Sequence, residues 1–203
     1  MIECGCDEAG RGSAIAEIYV GAVILDPNQP IEGLRDSKKL TVRKREELAE
    51  KIKCTALSWS LAKATLEEIE ELNVHHANLL AMKRAIEGLS IKPDMVYVDG
   101  LHIPAIDIPA EAIVKGDDKI PAISAASILA KVARDQAVLE YHKLYPQYGF
   151  DKHKGYLTKK HMESLQAFGP CPLHRKSYKP IKALLEQGKS TEVAVNVFSK
   201  DER

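Results

Sequence analysis

Aromatic residues are scarce in this chain, 5% of 203 residues with one tryptophan, which argues against a cofactor cave lined by stacked rings. There is no surplus of charge either: 29 Lys and Arg balance 29 Asp and Glu. A polyanion-binding surface would therefore have to come from local clusters. The candidates are Lys38-Lys39 with Arg43-Lys44-Arg45, then Lys152, Lys154 and Lys159-Lys160, and His174-Arg175-Lys176. None of the four cysteines, Cys4, Cys6, Cys54 and Cys171, sits in a Cys-x-x-Cys pair, so zinc is a weak reading. Cys4 and Cys6 fall on one face of a strand, which suits packing better than a bridge. No apolar run reaches the length of a membrane span. No secretory segment opens the chain, and the expectation is a reduced, cytoplasmic protein.

What is present is an ordinary globular composition, 45% hydrophobic and 29% charged, long enough to bury a real core. Residues 15–25 read as a buried strand closed by Asp26-Pro27. Thr41 is a suitable N-cap for a helix running to Lys53, and Ala56 to Ala64 alternates as a strand. Leu72, His76, Leu79, Met82, Ile86 and Leu89 recur at helical steps. Met95 to Val98 is a short continuous apolar run, the mark of a strand covered on both faces, and Ala112 to Val114 is another. A long helix is predicted between Pro121 and Tyr141. Its small face (Ala126, Ala130, Ala133, Ala137) should pack closely on a sheet. After Pro146 the chain turns basic and Gly/Pro-punctuated, with short helices expected at 158–167 and 179–187. Val193, Val195 and Val197 alternate as a short strand would. The order of elements gives an α/β sandwich with a mixed sheet.

Four acids share a position in this pattern. Asp7-Glu8 follows a short strand, Asp99 follows Met95 to Val98, and Asp117 comes just after Ala112 to Val114. In α/β sheets, ligands gather beyond the carboxyl ends of parallel strands. Converging carboxylates repel one another unless a cation lies between them. Hard ions such as Mg²⁺ and Mn²⁺ prefer oxygen ligands, and a pair of them clamps the attacking and leaving oxygens of a phosphodiester. Any one such acid is more often a turn former or helix cap; the set is what carries the argument. Adjacent strand residues point to opposite faces, so Asp7 and Glu8 can share a site only if the strand ends or bends there. Gly10 and Gly12 supply that freedom. Gly10-Arg11-Gly12 also suits close approach to a phosphate or sugar, but it lacks the Gly-Lys-Ser/Thr ending of a nucleotide-binding loop. Ser124 to Ala130 reads as packing rather than chemistry. The seven histidines offer no pair at metal spacing that outranks the acids, and His153 and His174 read as surface residues.

Asp7-Glu8-Ala9-Gly10-Arg11-Gly12 resembles the opening signature of ribonuclease HII, the type 2 ribonuclease H. Five further blocks follow in order. They are Asp36-Ser37-Lys38-Lys39-Leu40, Tyr97-Val98-Asp99-Gly100, Lys115-Gly116-Asp117 with Ser124 to Asp135, Tyr148-Gly149-Phe150 with His153-Lys154-Gly155-Tyr156, and His174-Arg175-Lys176-Ser177-Tyr178. The resemblance implies a ribonuclease H-like mixed five-stranded sheet flanked by helices, with a small C-terminal helical region. It divides the chain into a catalytic domain (1–145), a helical substrate-binding region (146–188) and a tail (189–203). It implies hydrolysis of the RNA strand of RNA–DNA hybrids, and of duplex DNA 5′ of an embedded ribonucleotide, leaving 3′-hydroxyl and 5′-phosphate ends. Two divalent ions, Mn²⁺ or Mg²⁺, would be held by Asp7, Glu8, Asp99 and Asp117, with Asp7 bridging them. Asp118 lies beside Asp117, but the position after Lys-Gly is the family's. Gly10, Arg11 and Gly12 would contact the 2′-hydroxyl, Tyr156 would stack on the following deoxyribose, and Lys38, Lys39 and Lys154 would meet phosphates. A monomer is expected.

One segment departs from the pattern. Where the family continues Pro-Leu-Ala-Gly-Pro, this chain has Ser13-Ala14-Ile15-Ala16-Glu17. A less rigid loop is implied, and Glu17 would hinder phosphate approach if it faced the groove. Two other functions stay open at this point. A binding module that keeps the fold without turnover would bind hybrid and not cut it. A hydrolase of small phosphate esters would have no use for the long basic C-terminal third.

Overall fold

A computed structural model describes residues 1–34 and 40–188. The residues fall into two compact units. The first comprises Met1–Arg11, Ile18–Ala64 and Val74–Arg134; the second comprises Gly12–Glu17, Thr65–Asn73 and the described residues from Asp135 on.

The first unit holds one sheet of five strands: β1 (Glu3–Ala9), β2 (Ile18–Ile24), β3 (Ser58–Ala64), β4 (Met95–Asp99) and β5 (Ala110–Ile113). Their spatial order is β3-β2-β1-β4-β5. The β3-β2-β1 half is antiparallel, and β1-β4-β5 is parallel. β2 begins at Ile18, three residues later than the apolar run suggests. Ala16 is the reason: its φ of 62° turns the chain out of the extended region, and Ile15 pairs in a separate bridge with His174. β4 also departs from expectation. Val96 and Val98 are buried, but Met95 and Tyr97 are only half so, and Tyr97 lifts its hydroxyl to Glu3 Oε1.

α1 (Val42–Thr55) starts where Thr41 accepts the amide of Lys44 at 3.3 Å, a side-chain cap for an otherwise orphan donor. It buries Leu48, Ala49 and Ile52 in a core with Val23, Ala125, Ile128 and Leu129. α2 (Leu66–Glu87) is kinked at Asn73, which has φ 66° and ψ 164°; the boundary between the units falls there. α3 (Pro121–Leu144) lays Ala122 and Ala126, the latter from its small face, against the sheet. A β-carbon at Gly5 would run into the α3 backbone at Ala122 and Ile123, and one at Gly21 would stand 2.5 Å from the Ala126 carbonyl oxygen. Helix and sheet backbones meet there with nothing between them. Among the described residues no helix is long and apolar enough to cross a membrane.

The second unit contains α4 (Phe150–His153), α5 (Lys159–Phe168) and α6 (Lys179–Glu186). Thr158 caps α5 by accepting the amide of His161. Its core is Ile15, Val138, Tyr148, Phe150, Leu165, Cys171, Ile181 and Leu184. Tyr148 and Phe150 stack at 5.2 Å, and the Tyr148 hydroxyl donates to the Gly169 carbonyl at 2.6 Å. The alternating valines at 193–197 and the tail lie outside the described residues.

Candidate active site

The carboxylates belong to the first unit. β1 does not stop ahead of Asp7 and Glu8, as two neighbouring acids aimed at one place would suggest; it runs on to Ala9. What stops is its neighbour. The ladder from β1 to β4 ends at the pair Cys6 and Val98, so Asp7, Glu8 and Asp99 all lie just past the last parallel pairing. Asp7 is buried, 5% exposed, and opposite Gly21 on the β2 side. Its Oδ1 accepts the amide of Glu8 at 2.7 Å. Burial pushes the Asp7 carboxyl well above the usual range, and the charges of Glu8 and Asp99 push it further; a hydrogen bond with Ser127 pulls the other way. Burial also raises Glu8, opposed by Arg11 and reinforced by Asp99. These three acids therefore feel one another's charge.

Asp117 reaches the same strand end by a different route. After β5, Lys115 takes a left-handed conformation and a single 3₁₀ turn covers Gly116–Asp118. The Gly116 amide donates to Asp99 Oδ1 at 2.7 Å, which ties the turn to the end of β4. Asp117 is 2% exposed, and Asp118 beside it is exposed.

The donor set fits a hard divalent cation. All its atoms are oxygens, two of its carboxyls are held against their own ionisation, and Glu8 Oε2 is buried with no hydrogen-bond partner among the described residues. An ion would relieve each of these costs. Among the described residues, no three His, Cys, Asp or Glu side chains are already set around a common point as a chelate would require. Binding would have to draw the carboxylates inward by side-chain rotation.

Two residues beside the acids escaped the reading by pattern. Ser127 lies in the small-residue stretch read as packing. Its neighbours on α3 are buried, but Ser127 is half exposed and hydrogen-bonds Asp7. Arg134 is fully buried, and a β-carbon at Gly10 would collide with its guanidinium. Gly10, at φ 89°, is thus required twice over, for its backbone angle and for the space.

The expected substrate-binding residues divide between the units. Gly10 and Arg11 belong to the first, where Arg11 pairs with Glu8 Oε1 at 3.8 Å. Gly12, Lys154 and Tyr156 belong to the second. There Gly12 lies against the Tyr156 ring and accepts the Tyr178 hydroxyl at 3.1 Å. Tyr156 is 40% exposed. Lys154 has φ 53° and turns its ammonium onto the Asp151 carbonyl. Lys38 and Lys39 lie outside the described residues.

The atypical 13–17 segment is held firmly without its prolines. Ala16 donates its amide to Leu173 O at 2.9 Å, and its carbonyl accepts from Arg175 Nε at 3.0 Å and Nη2 at 2.8 Å. Glu17 takes the Tyr141 hydroxyl on both oxygens, at 3.0 and 2.8 Å. His174, read from sequence as a surface residue, is 2% exposed. Its Nδ1 accepts the Cys171 amide at 2.9 Å, and its Nε2 lies 3.0 Å from that of His161. The aromatic residues Tyr148 and Phe150 pack around it, and that apolar wall is why the ring is inside.

The same architecture occurs in solved nucleases. The crystal structure of the ribonuclease H2 from Pyrococcus horikoshii superposes with a TM-score of 0.79 at 27% identity, covering 92% of this chain and 98% of that one. A Bst ribonuclease HIII in complex with Mn²⁺ shares the fold, with a TM-score of 0.72 over 93% of this chain and 70% of that one, at 16% identity. A ribonuclease H-like fold with acids at the ends of its parallel strands defines a nuclease of the ribonuclease H class. The profile of the Ribonuclease HII family matches residues 4–181. A ribonuclease HII of Desulforamulus reducens is 71% identical over 192 residues, 95% of this chain and 96% of that protein. The chain belongs to the ribonuclease HII family, whose members are divalent-metal-dependent endonucleases of RNA–DNA hybrids.

Proposed function

We propose that this protein cuts the RNA strand of RNA–DNA hybrids and incises duplex DNA 5′ of embedded ribonucleotides, leaving 3′-hydroxyl and 5′-phosphate ends. The observation that carries the reading is the position of Asp7, Glu8 and Asp99 just past the β1–β4 ladder, where they bear on one another electrostatically, with the Asp117 turn tied to Asp99 through Gly116. Two divalent ions, Mn²⁺ or Mg²⁺, would be held by these four acids. Asp7 would be shared between the ions, Glu8 and Asp99 would serve one, and Asp117 the other. When bound, such ions supply charge neutralisation and Lewis acidity at a phosphodiester.

The chain's own residues bind and orient. Gly10, Arg11 and Gly12 are proposed to contact the 2′-hydroxyl, the group that separates RNA from DNA. The half-exposed Tyr156 ring is proposed to stack on the next deoxyribose. Lys38, Lys39 and Lys154 would meet phosphates, with residues 146–188 as the region that grips the duplex. Residues 1–145 would then be the catalytic domain. Four free cysteines, three of them buried, suit a reducing cytoplasm, and removal of ribonucleotides from DNA suits a role in replication and repair. We read the active form as a monomer.

The test is a DNA duplex carrying one ribonucleotide, incubated with Mn²⁺ or Mg²⁺ and the product ends mapped. A single cut 5′ of the ribonucleotide is expected. Binding of that duplex without any cutting at all metal concentrations would overturn the reading.

A further inference from the structure

We propose that Asn78 is a positioning residue for Asp99, acting through one water molecule held in a small cavity beside the strand end. The inference rests on the reading of Asp99 as an ion ligand and deepens it.

Asn78 is on the α2 segment that belongs to the first unit. It is 3% exposed. Its amide nitrogen reaches only the Met82 sulfur, at 4.0 Å, a weak acceptor. Its carbonyl oxygen is buried and meets no donor among the described residues. An amide left in that state is costly, and buried polar groups in folded proteins generally find a partner, ordered water included.

A partner has room here. Asn78 lines a cavity of about 20 Å³ with Arg11, His75, Leu79, Met82, Asp99, Gly100 and His102. That is enough for one water, which needs at least about 10–15 Å³ and two or more polar partners. An apolar cavity of this size would stay dry. This one has an amide and a carboxylate on its wall, with Arg11 and two imidazoles besides. Asp99 Oδ1 is already engaged by the Gly116 amide. A water that donates one proton to Asn78 Oδ1 and the other to Asp99 would fix the carboxylate in two directions and so set its plane. The arrangement tolerates either orientation of the amide, since water both donates and accepts.

Partners that orient a ligating group change metal affinity about 10–100-fold when removed. The experiment is Mn²⁺ titration calorimetry on the whole chain, with circular dichroism to check folding. Asn78→Leu, which keeps the bulk and loses the amide, is expected to weaken Mn²⁺ binding at least about tenfold. Asn78→Ser, which keeps a hydroxyl, is expected to stay within about threefold of the parent. A folded Asn78→Leu protein with the parent's affinity would overturn the inference. If that variant does not fold, Asn78→Ala against Asn78→Ser makes the same comparison with less bulk. A crystal structure that resolves ordered water decides independently: a water within hydrogen-bond reach of both Asn78 and Asp99 is expected, and a dry cavity sinks the proposal. Asp99→Asn keeps the two ideas apart. Should it bind Mn²⁺ as tightly as the parent, the ion-ligand reading fails, while the water between the two side chains is still settled by the crystal.

Discussion

The strand-end acids and the buried histidines are both clusters of titratable side chains shut away from water, and they are built on opposite principles. In the acid cluster the groups raise one another's cost. Asp7 and Glu8 are buried and press charge on each other and on Asp99. In the histidine cluster each group satisfies the next. His174 accepts the Cys171 amide on Nδ1, so its proton is on Nε2 and goes to His161 Nε2; His161 Nδ1 then donates to the Tyr156 carbonyl at 3.0 Å. His153 closes the set, accepting the Gly155 amide and donating to Tyr148 O at 2.7 Å. All three rings are neutral, and burial lowers all three pKa values, His161 to about 4 and His174 to about 3. Burial of ionisable groups therefore does not by itself mark a site of chemistry. The balance of donors and acceptors does: the histidines are complete as they stand, and the acids need a cation.

The comparison can be broken most sharply at Asp99. Asp99→Asn is expected to cut hybrid cleavage on the order of a thousandfold, the equivalent of several kcal/mol of charge stabilisation. The same change removes one repelling charge, so in chelator the variant should melt at or above the parent temperature. With Mn²⁺ added, the parent should gain more stability than the variant, since a ligand that binds only the folded state stabilises it by mass action. A variant that melts well below the parent in chelator would show that Asp99 is structural.

At the histidine pole the prediction concerns pH. The unfolded chain takes up protons on His161 and His174 near their ordinary pKa of 6.5, and the folded chain does so only near 4 and 3. Between those limits the unfolded state binds more protons, so stability rises with pH. The contribution is complete above pH 6.5 and is lost as the pH falls toward 4. Urea midpoints of the parent from pH 4 to 7, set beside those of His174→Asn, give the measurement. A parent and variant with parallel pH profiles would contradict it.

Two smaller effects test the loop that lost its prolines. Arg175→Met removes the guanidinium that grips the Ala16 carbonyl and should cost about 2–3 kcal/mol in urea unfolding, the range for hydrogen bonds to a charged group plus a stranded acceptor. Ala16→Gly should do the reverse. Ala16 has φ 62°, which costs a side chain about 1 kcal/mol that glycine does not carry. A gain of at most about 0.5 kcal/mol is expected after glycine's own entropy is set against it. Destabilisation by this change would mean that the methyl group packs too well to lose.

Much of the fold is legible along the chain because its signals are local. Thr41 as a cap, the Met95 to Val98 run and the small face of α3 each specify an element from neighbours a few residues away. The acids are legible for the same reason, since each follows or ends an apolar run. Their company is not. Ser127 reaches Asp7 only because α3 is laid on the sheet, and the Gly116 amide finds Asp99 across two strands. Arg134 fills the space under Gly10, a relation between residues more than a hundred apart in the chain. The interior position of His174 was hidden in the same way, because the rings that enclose it come from other elements. The break at Ala16 was missed for another reason: alanine carries no sign that its backbone will turn left-handed.

Gly5 and Gly21 set the depth at which α3 lies against the sheet by having no atoms to offer. Conventional intuition ranks positions by what their side chains contribute, and these two contribute nothing that could be deleted. They are nevertheless among the least replaceable places in the protein. Even a methyl group at either would lever the helix outward, carry Ser127 away from Asp7, and misalign a polar centre that it never touches.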